Sequence, residues 1–366
     1  MSKMSTELTR HALNGATMGT RWSALFFAGP GLDTAPIRTA LQAAVDEVDG
    51  QMSTWKPDSG LMRLNAAPVG EWIALPARLA EVLRLGLKIG RISGGAFDIG
   101  MGDAVTAWGF GPKTAAPEGI RAAMKTPRRP ADQALEFEGD RICKVAPIAL
   151  DLNGIAKGYG VDRLAETLRD YGIADALVGV DGEMRAMGLR PDGEAWSIAV
   201  EAPDAERRTP HSILALQDAA VATSGDYRHW VEVQGRRLSH TMDPRRGAPL
   251  IASPTSVTVV ARSCAEADAW ATALMVLGLG KGAELARKEG LDALFLLRED
   301  CGSVRGVGVG RLFSEEPAAI TPAEGRWAAW RRQGLTASRP LSCSLPRPAC
   351  LRDLRSTFPA DPTLRT

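Results

Sequence analysis

The most restrictive local pattern in this chain lies between residues 148 and 172. Ile148-Ala149-Leu150-Asp151-Leu152 reads as a short apolar strand. Asn153-Gly154 then makes a polar turn, because both residues tolerate backbone shapes that interrupt a strand. A helix is predicted over residues 155–170, and Gly172 suits its C-terminal end. The unit delivers a carboxylate (Asp151), a glycine turn and a lysine in the first helical turn (Lys157) to one place. Helix N-termini favour phosphate through their free N–H groups, and a lysine adds charge there. The GxxxxGK[ST] spacing of a P-loop is absent. By pattern alone, a phosphate loop and a plain strand–helix turn with a solvated lysine are equal readings.

The elements around this unit alternate irregularly. Residues 17–27 read as a strand. Residues 33–48 read as a helix, with Ile37, Leu41, Val45 and Val48 at helical spacing. Pro76 opens a second helix through Leu79, Leu83 and Leu87, ending near Gly90. A short helix fits residues 117–124. Strands are expected at 176–180, 184–188, 196–200, 213–216, 227–233 and 256–261. Helices are expected at 265–277 and 281–288, and a last strand at 293–297. Strands and helices mixed without strict alternation point to an α+β fold, with mixed or antiparallel sheets and packed helices, rather than a doubly wound parallel sheet. Beyond about residue 314, Pro, Ser and Arg become frequent and periodicity fades. Residues 1–315 are therefore expected to form one domain. Residues 316–366 are expected to be a disordered or loosely attached tail, with a short helical patch at 327–332.

Composition narrows the function classes. The 366 residues are 45% hydrophobic and 24% charged, the balance of a soluble globular protein. Net charge is +1, from 44 basic and 43 acidic residues, which argues against a nucleic-acid binder. The five cysteines show no paired or metal-type spacing, so reduced thiols are expected. The first twenty residues hold no long apolar run, and no stretch approaches a membrane span. The chain as written reads as cytoplasmic.

Four further clusters carry chemistry. Gly94-Gly95-Ala96-Phe97-Asp98 lets a ligand approach the backbone, offers a ring that can cover a flat group, and adds an acceptor. Its plainer reading is a glycine turn between helix and strand. Thr223-Ser224-Gly225-Asp226-Tyr227 offers hydroxyls and amides to an anion, or is an ordinary turn. His240, in a turn with Asp243-Pro244-Arg245-Arg246, can take a proton from a hydroxyl, although a lone histidine is more often structural. Asp268 and Thr272, four apart, share a helix face and are hard oxygen donors of the kind Mg²⁺ demands, or are a solvent-facing pair. Together these suggest Mg²⁺-dependent phosphoryl chemistry on a nucleotide-like ligand.

In fixed order, these segments resemble the FAD:protein FMN transferase (ApbE) family. They are Met18-Gly19-Thr20; Met52-Ser53-Thr54-Trp55 with Asp58-Ser59 and Asn65; and Gly95-Ala96-Phe97-Asp98 with Trp108-Gly109-Phe110-Gly111. Then follow Leu150-Asp151 with Gly154 to Tyr159 and Asp162; Thr223 to Tyr227; His240 with Asp243-Pro244 and Gly247; and Ala267-Asp268 with Thr272. The resemblance implies an ApbE-like (T-fold-like) architecture. It implies FAD as substrate, held by Met18, Trp55, Ala96, Phe97, Asp98, Asp151, Lys157 and Met242. It implies Mg²⁺ on the Gly154 carbonyl, Asp268 and Thr272, with His240 as proton acceptor. The implied partner is an acceptor flavoprotein, often a membrane electron-transfer subunit, that receives FMN on a threonine or serine while AMP leaves. An FAD-binding protein without transfer activity, or a Mg²⁺-dependent FAD pyrophosphatase using water, are the alternatives. The sequence departs from the family at Trp55, where tyrosine is frequent, at Ala271, where some members carry a further aspartate, and at Asp181-Gly182-Glu183, where Gly-Gly-Asp is usual.

Overall fold

A computed structural model describes residues 8–204, 209–226, 230–233, 236–251, 253–299 and 303–313. The expected tail at 316–366, with its helical patch at 327–332, lies outside the described residues, as do residues 227–229 of one expected strand.

The chain opens as a hairpin. Thr9–Thr17 (β1) and Thr20–Ala28 (β2) pair antiparallel with Thr17 opposite Thr20, leaving Met18-Gly19 as a two-residue loop. Both loop residues have positive φ, 46° and 72°. That is the turn class whose twist matches the flanking strands. The expected strand at 17–27 is thus the turn plus β2. β1 escapes a hydrophobicity reading because its residues are largely exposed or half-buried.

Six more strands extend β2: Ala176–Val180 (β3), Glu183–Met187 (β4), Ala219–Gly225 (β5), Ser256–Ala261 (β6), Asp292–Arg298 (β7) and Val304–Val309 (β8). The sheet runs β1 to β8 in chain order, with every neighbouring pair antiparallel. Alternate side chains leave to opposite faces. Trp22, Ala24 and Phe26 meet helices Ala35–Met52 (α1) and Ala156–Asp170 (α3). Val257, Val259 and Phe295 meet Ala77–Ile92 (α2) and Cys264–Lys288 (α4). The other face, through Leu25, Phe27, Ala186, Val221, Leu294 and Leu296, is covered by the hairpin of Trp196–Glu201 and Pro210–Leu216. Burying a side chain such as Phe295 contributes roughly 1.5–3 kcal/mol. The expected α+β fold is borne out. Among the described residues no helix is long and apolar enough to cross a membrane.

Several local expectations are corrected. Residues 148–152 are not a strand. Their backbone is satisfied elsewhere: the Asn65 amide donates to Leu150 O (2.9 Å) and accepts from Leu150 N (2.7 Å). Gly102 N donates to Ala149 O (2.9 Å) and Asp151 N to Ile99 O (2.8 Å). Thr223-Ser224-Gly225 is the end of β5, not a turn. Gly94-Gly95 leads into the helix Gly102–Ala107 rather than a strand. The two helices expected at 265–277 and 281–288 are the halves of α4, broken at Gly278 (φ 70°, ψ 178°). The helix Gly60–Ala66, capped by Ser59 Oγ accepting from Met62 N, was unmarked by periodicity because it is under two turns long.

Candidate functional site

The N-terminal half of α3 and the first turns of α4 are locked by a reciprocal pair of carboxylates. Asp162, on α3, accepts from Cys264 N and Ala265 N at 2.9 Å each, capping α4 from outside its own sequence. Arg185, on β4, donates to the same carboxylate. Asp268, on α4, accepts from Gly158 N of α3 at 3.1 Å. Gly158 is required for this approach, since a Cβ there would collide with Cys264 O. Burial raises the pKa of both aspartates, against the N–H groups and cations that favour their charge.

One helical turn on from Asp268, Thr272 faces the Asn153-Gly154 turn. A Cβ on Gly154 would lie 3.1 Å from Thr272 Oγ1 and 3.2 Å from Phe97 Cε2. Thr272 Oγ1 is also 3.1 Å from Ser224 Oγ. Thr272 Oγ1 therefore stands against the Gly154 turn, one helical turn along α4 from Asp268, and the solvent-facing reading of the pair is overturned: Asp268 is only 5% exposed. Among the described residues no group of three or more His, Cys, Asp or Glu is placed to hold a metal. The oxygen donors that α4 presents here are one carboxylate, Asp268, and one hydroxyl, Thr272.

Lys157 stands beside them. Its Nζ is 2.7 Å from Glu183 Oε1 and 3.5 Å from Asp181 Oδ2, so the solvated-lysine reading falls. Burial works against its charge, but Glu183, Asp268 and Asp181 outweigh that and hold its pKa above the ordinary value. Glu183 is itself raised by burial, opposed by Lys157. Its second oxygen, Oε2, is buried without a hydrogen-bond partner among the described residues. The β3–β4 loop, Asp181-Gly182, has positive φ at both residues (51° and 108°). It brings Asp181 Oδ1 within 3.2 Å of Thr20 Oγ1. The two hairpin tips thus lie side by side over the start of α3, where Met18 Cε reaches to 3.1 Å from a Cβ position on Gly160.

The 96–99 segment is stitched to the same turn through Asp151 N and Ile99 O. Ala96 and Phe97 are each 4% exposed. The Phe97 ring is enclosed in the core, against Gly86 and Gly154, rather than lying open to cover a flat group. Asp98 Oδ1 accepts from Gly100 N (2.7 Å) and Ala131 N (3.3 Å), while burial raises its pKa. Asp151 accepts from Asn153 N (2.9 Å) and Asn153 Nδ2 (3.0 Å), and burial pushes it up to about 6.

Three expected residues stand apart from the clamp. Trp55 is 63% exposed on the segment between α1 and Gly60–Ala66. Met242 is buried with Met101, Trp108 and Ala248. His240, half-buried, makes an edge-on contact with Phe110, centroids 6.4 Å apart. Trp108 Nε1 donates to Gly247 O (2.9 Å), tying this segment to residues 101–111.

Comparison with known proteins fixes the relationship. The pattern of the ApbE family matches residues 18–295. The chain belongs to the ApbE family. It is 37% identical over 295 residues to an FAD:protein FMN transferase of Vibrio cholerae, covering 79% of this chain and 88% of that relative. To the enzyme of the same description from Escherichia coli K12 it is 34% identical over 307 residues, covering 81% and 86%. Among solved ApbE structures, the flavin transferase of V. cholerae superposes with TM-score 0.74 at 33% identity, covering 83% of this chain and 98% of that one. The apo flavinyl transferase of Pseudomonas stutzeri gives 0.73 at 36%, covering 82% and 95%. The span matched to the ApbE family runs from Met18 past Thr272 and so contains every expected site residue.

The sequence marks no role for three residues around this clamp, Asn65, Asp162 and Glu183, and reads Ser224 only as a hydroxyl for an anion. Asn65, Asp162 and Ser224 lie inside the family-like segments, so their positions were marked but not their contacts. Glu183 was noted only as part of a departing loop. The strand expected at 184–188 is β4, so the sequence placed its strand to within one residue but not its contact with Lys157.

Proposed function

We propose that this chain transfers the FMN half of FAD to a threonine or serine hydroxyl of an acceptor flavoprotein, releasing AMP. The observation that carries the reading is the packing of Thr272 against Gly154 and of Asp268 against Gly158, beside the half-buried, ion-paired Lys157. The donor set suits Mg²⁺: hard oxygens, with three carboxylates (Asp268, Glu183 and Asp181) set against one ammonium (Lys157). Gly154 O, Asp268 and Thr272 would hold the ion, which when bound neutralises charge on the pyrophosphate. Lys157 adds a fixed positive charge there. Met18, Ala96, Phe97, Asp98 and Asp151 line the approach, Phe97 as a wall and not as an open platform. Trp55 offers an exposed ring for stacking, and Met242 supports the segment that carries His240. The acceptor hydroxyl oxygen bonds to the FMN phosphorus as the P–O bond to AMP breaks, and His240 takes the hydroxyl proton. Positioning by the α3–α4 clamp supplies much of the acceleration.

The test is incubation with FAD, Mg²⁺ and a threonine-containing acceptor domain, followed by mass spectrometry. An acceptor heavier by FMN less water, with one AMP per label, is the expected result. FMN and AMP appearing with the acceptor unlabelled would make the protein a pyrophosphatase. FAD recovered intact would make it a binding protein.

A further inference from the structure

Thr223-Ser224-Gly225 was singled out in the sequence for its hydroxyls, and the fold gives the Ser224 hydroxyl one definite neighbour. Ser224 Oγ lies 3.1 Å from Thr272 Oγ1, across the interface of β5 and α4. The strand is firmly held at this point. Ser224 is in register with Val257 of β6, and the preceding Thr223 Oγ1 is 2.9 Å from Thr258 Oγ1.

A threonine hydroxyl has one proton and two lone pairs. Within a helix its oxygen commonly bonds back to the carbonyl three or four residues earlier, which for Thr272 is the backbone of Ala269 or Asp268. A threonine that ligates a cation must instead send its proton away from the ion and turn a lone pair toward it. Ser224 Oγ is an acceptor placed to receive that proton. Gly154 packs against the same Thr272 oxygen, so a proton drawn to Ser224 leaves a lone pair free for an ion held beside Gly154.

We propose that Ser224 is a positioning residue for the cation: it accepts the Thr272 proton and so orients the Thr272 oxygen as a ligand. This rests on the Mg²⁺ reading above. Residues that orient a metal ligand without touching the metal typically change affinity about 10–100-fold when removed.

The experiment uses the full chain with FAD bound and Mn²⁺ as the probe, followed by electron paramagnetic resonance. Ser224→Ala should raise the Mn²⁺ Kd about 10–100-fold and raise the Mg²⁺ concentration for half-maximal AMP release in parallel. Quenching of flavin fluorescence should be unchanged, and kcat should recover at saturating Mg²⁺. Ser224→Thr, which keeps the hydroxyl, should restore much of the affinity. Thr223→Val, which removes the neighbouring hydroxyl paired with Thr258, should leave Mn²⁺ binding as in the wild type. If Ser224→Ala does not fold, Ser224→Cys, similar in size with a weaker hydrogen bond, tests the same sign. A wild-type Mn²⁺ Kd in Ser224→Ala would overturn the proposal alone. A wild-type protein that binds no Mn²⁺ with FAD present would overturn the metal reading itself.

Discussion

The two halves of the site are built in different ways. The half containing Gly154, Lys157, Asp268 and Thr272 stands on helices of 15 and 25 residues, joined by carboxylates that accept each other's backbone N–H groups. The half containing His240 stands on two-residue strands, Met242–Asp243 and Ala248–Pro249. Its turn is shaped by Asp243 Oδ1 accepting from Arg245 N (3.0 Å), and Arg245 and Arg246 are exposed. Trp108 and the small cluster around Met242 hold it to the rest. Stability is not uniform across a fold, and segments with few buried contacts open first. On the proposed function, the residues assigned to phosphate and cation stand on long packed helices, and the assigned proton acceptor stands on a short two-stranded hairpin.

The largest expected effect is at Asp268, the carboxylate proposed as a cation ligand on the helical half. Asp268→Ala should lower AMP release by on the order of 10³-fold, the several kcal/mol a catalytic metal supplies, while flavin fluorescence quenching persists. Full AMP release with Mg²⁺ present would end the metal assignment. His240→Ala should lower turnover about 10²–10⁴-fold with FAD affinity and unfolding midpoint nearly unchanged, and His240→Asn should match it. The wild-type rate should also fall on the acid side as the imidazole protonates. Near-normal turnover would remove His240 from the mechanism and make Asp243 the next residue to test.

Asp162→Ala separates the halves by stability. Leaving Arg185 and two helix N–H groups without their buried partner should cost about 3–5 kcal/mol in denaturant unfolding. Truncating Arg245, exposed on the other half, should stay within about 0.5 kcal/mol. Equal losses would contradict the contrast drawn here. A pH-dependent effect concerns Asp151, raised to about 6 by burial. Its folded pKa exceeds the unfolded value of about 3.9, so the folded state holds the proton more tightly and stability falls as pH rises through about 4 to 6. Asp151→Asn should then be the more stable protein at pH 7, by on the order of 1–2 kcal/mol once partial solvent access is allowed for. The gain should vanish below about pH 4. An unchanged difference across that range would rule out a buried charge at Asp151.

Much of the fold was legible locally. The helices at residues 33–48 and 155–170 match α1 and α3 closely, because apolar residues at helical spacing bury one face. Strands buried on both faces, such as β6 and β7, were visible as short, mostly apolar runs. β1 was not, because it lies at a sheet edge with little buried surface, and β8 was not, because Val-Arg-Gly-Val-Gly-Val breaks the pattern with glycine. In the site, Asp268 and Thr272 were placed on one face by their spacing. Their burial against Gly154 and Gly158 was not, since no local signal names the partner of a glycine.

What the sequence alone determined is therefore the chemistry and its local spacing: a lysine at a helix start, a carboxylate and hydroxyl four residues apart, a histidine in a polar turn, and an ordered set of segments shared with the ApbE family. Only the tertiary structure decided that the Phe97 ring packs inward, that Lys157 meets Glu183, that residues 148–152 pair with Asn65 instead of a sheet, and that Ser224 faces Thr272. The physical reason is that periodicity reports which face of an element is buried, because burial repeats along the chain. Which donor meets which acceptor depends on elements far apart in sequence; Ser224 and Thr272, or Asn65 and Leu150, meet only once the sheet and helices have packed.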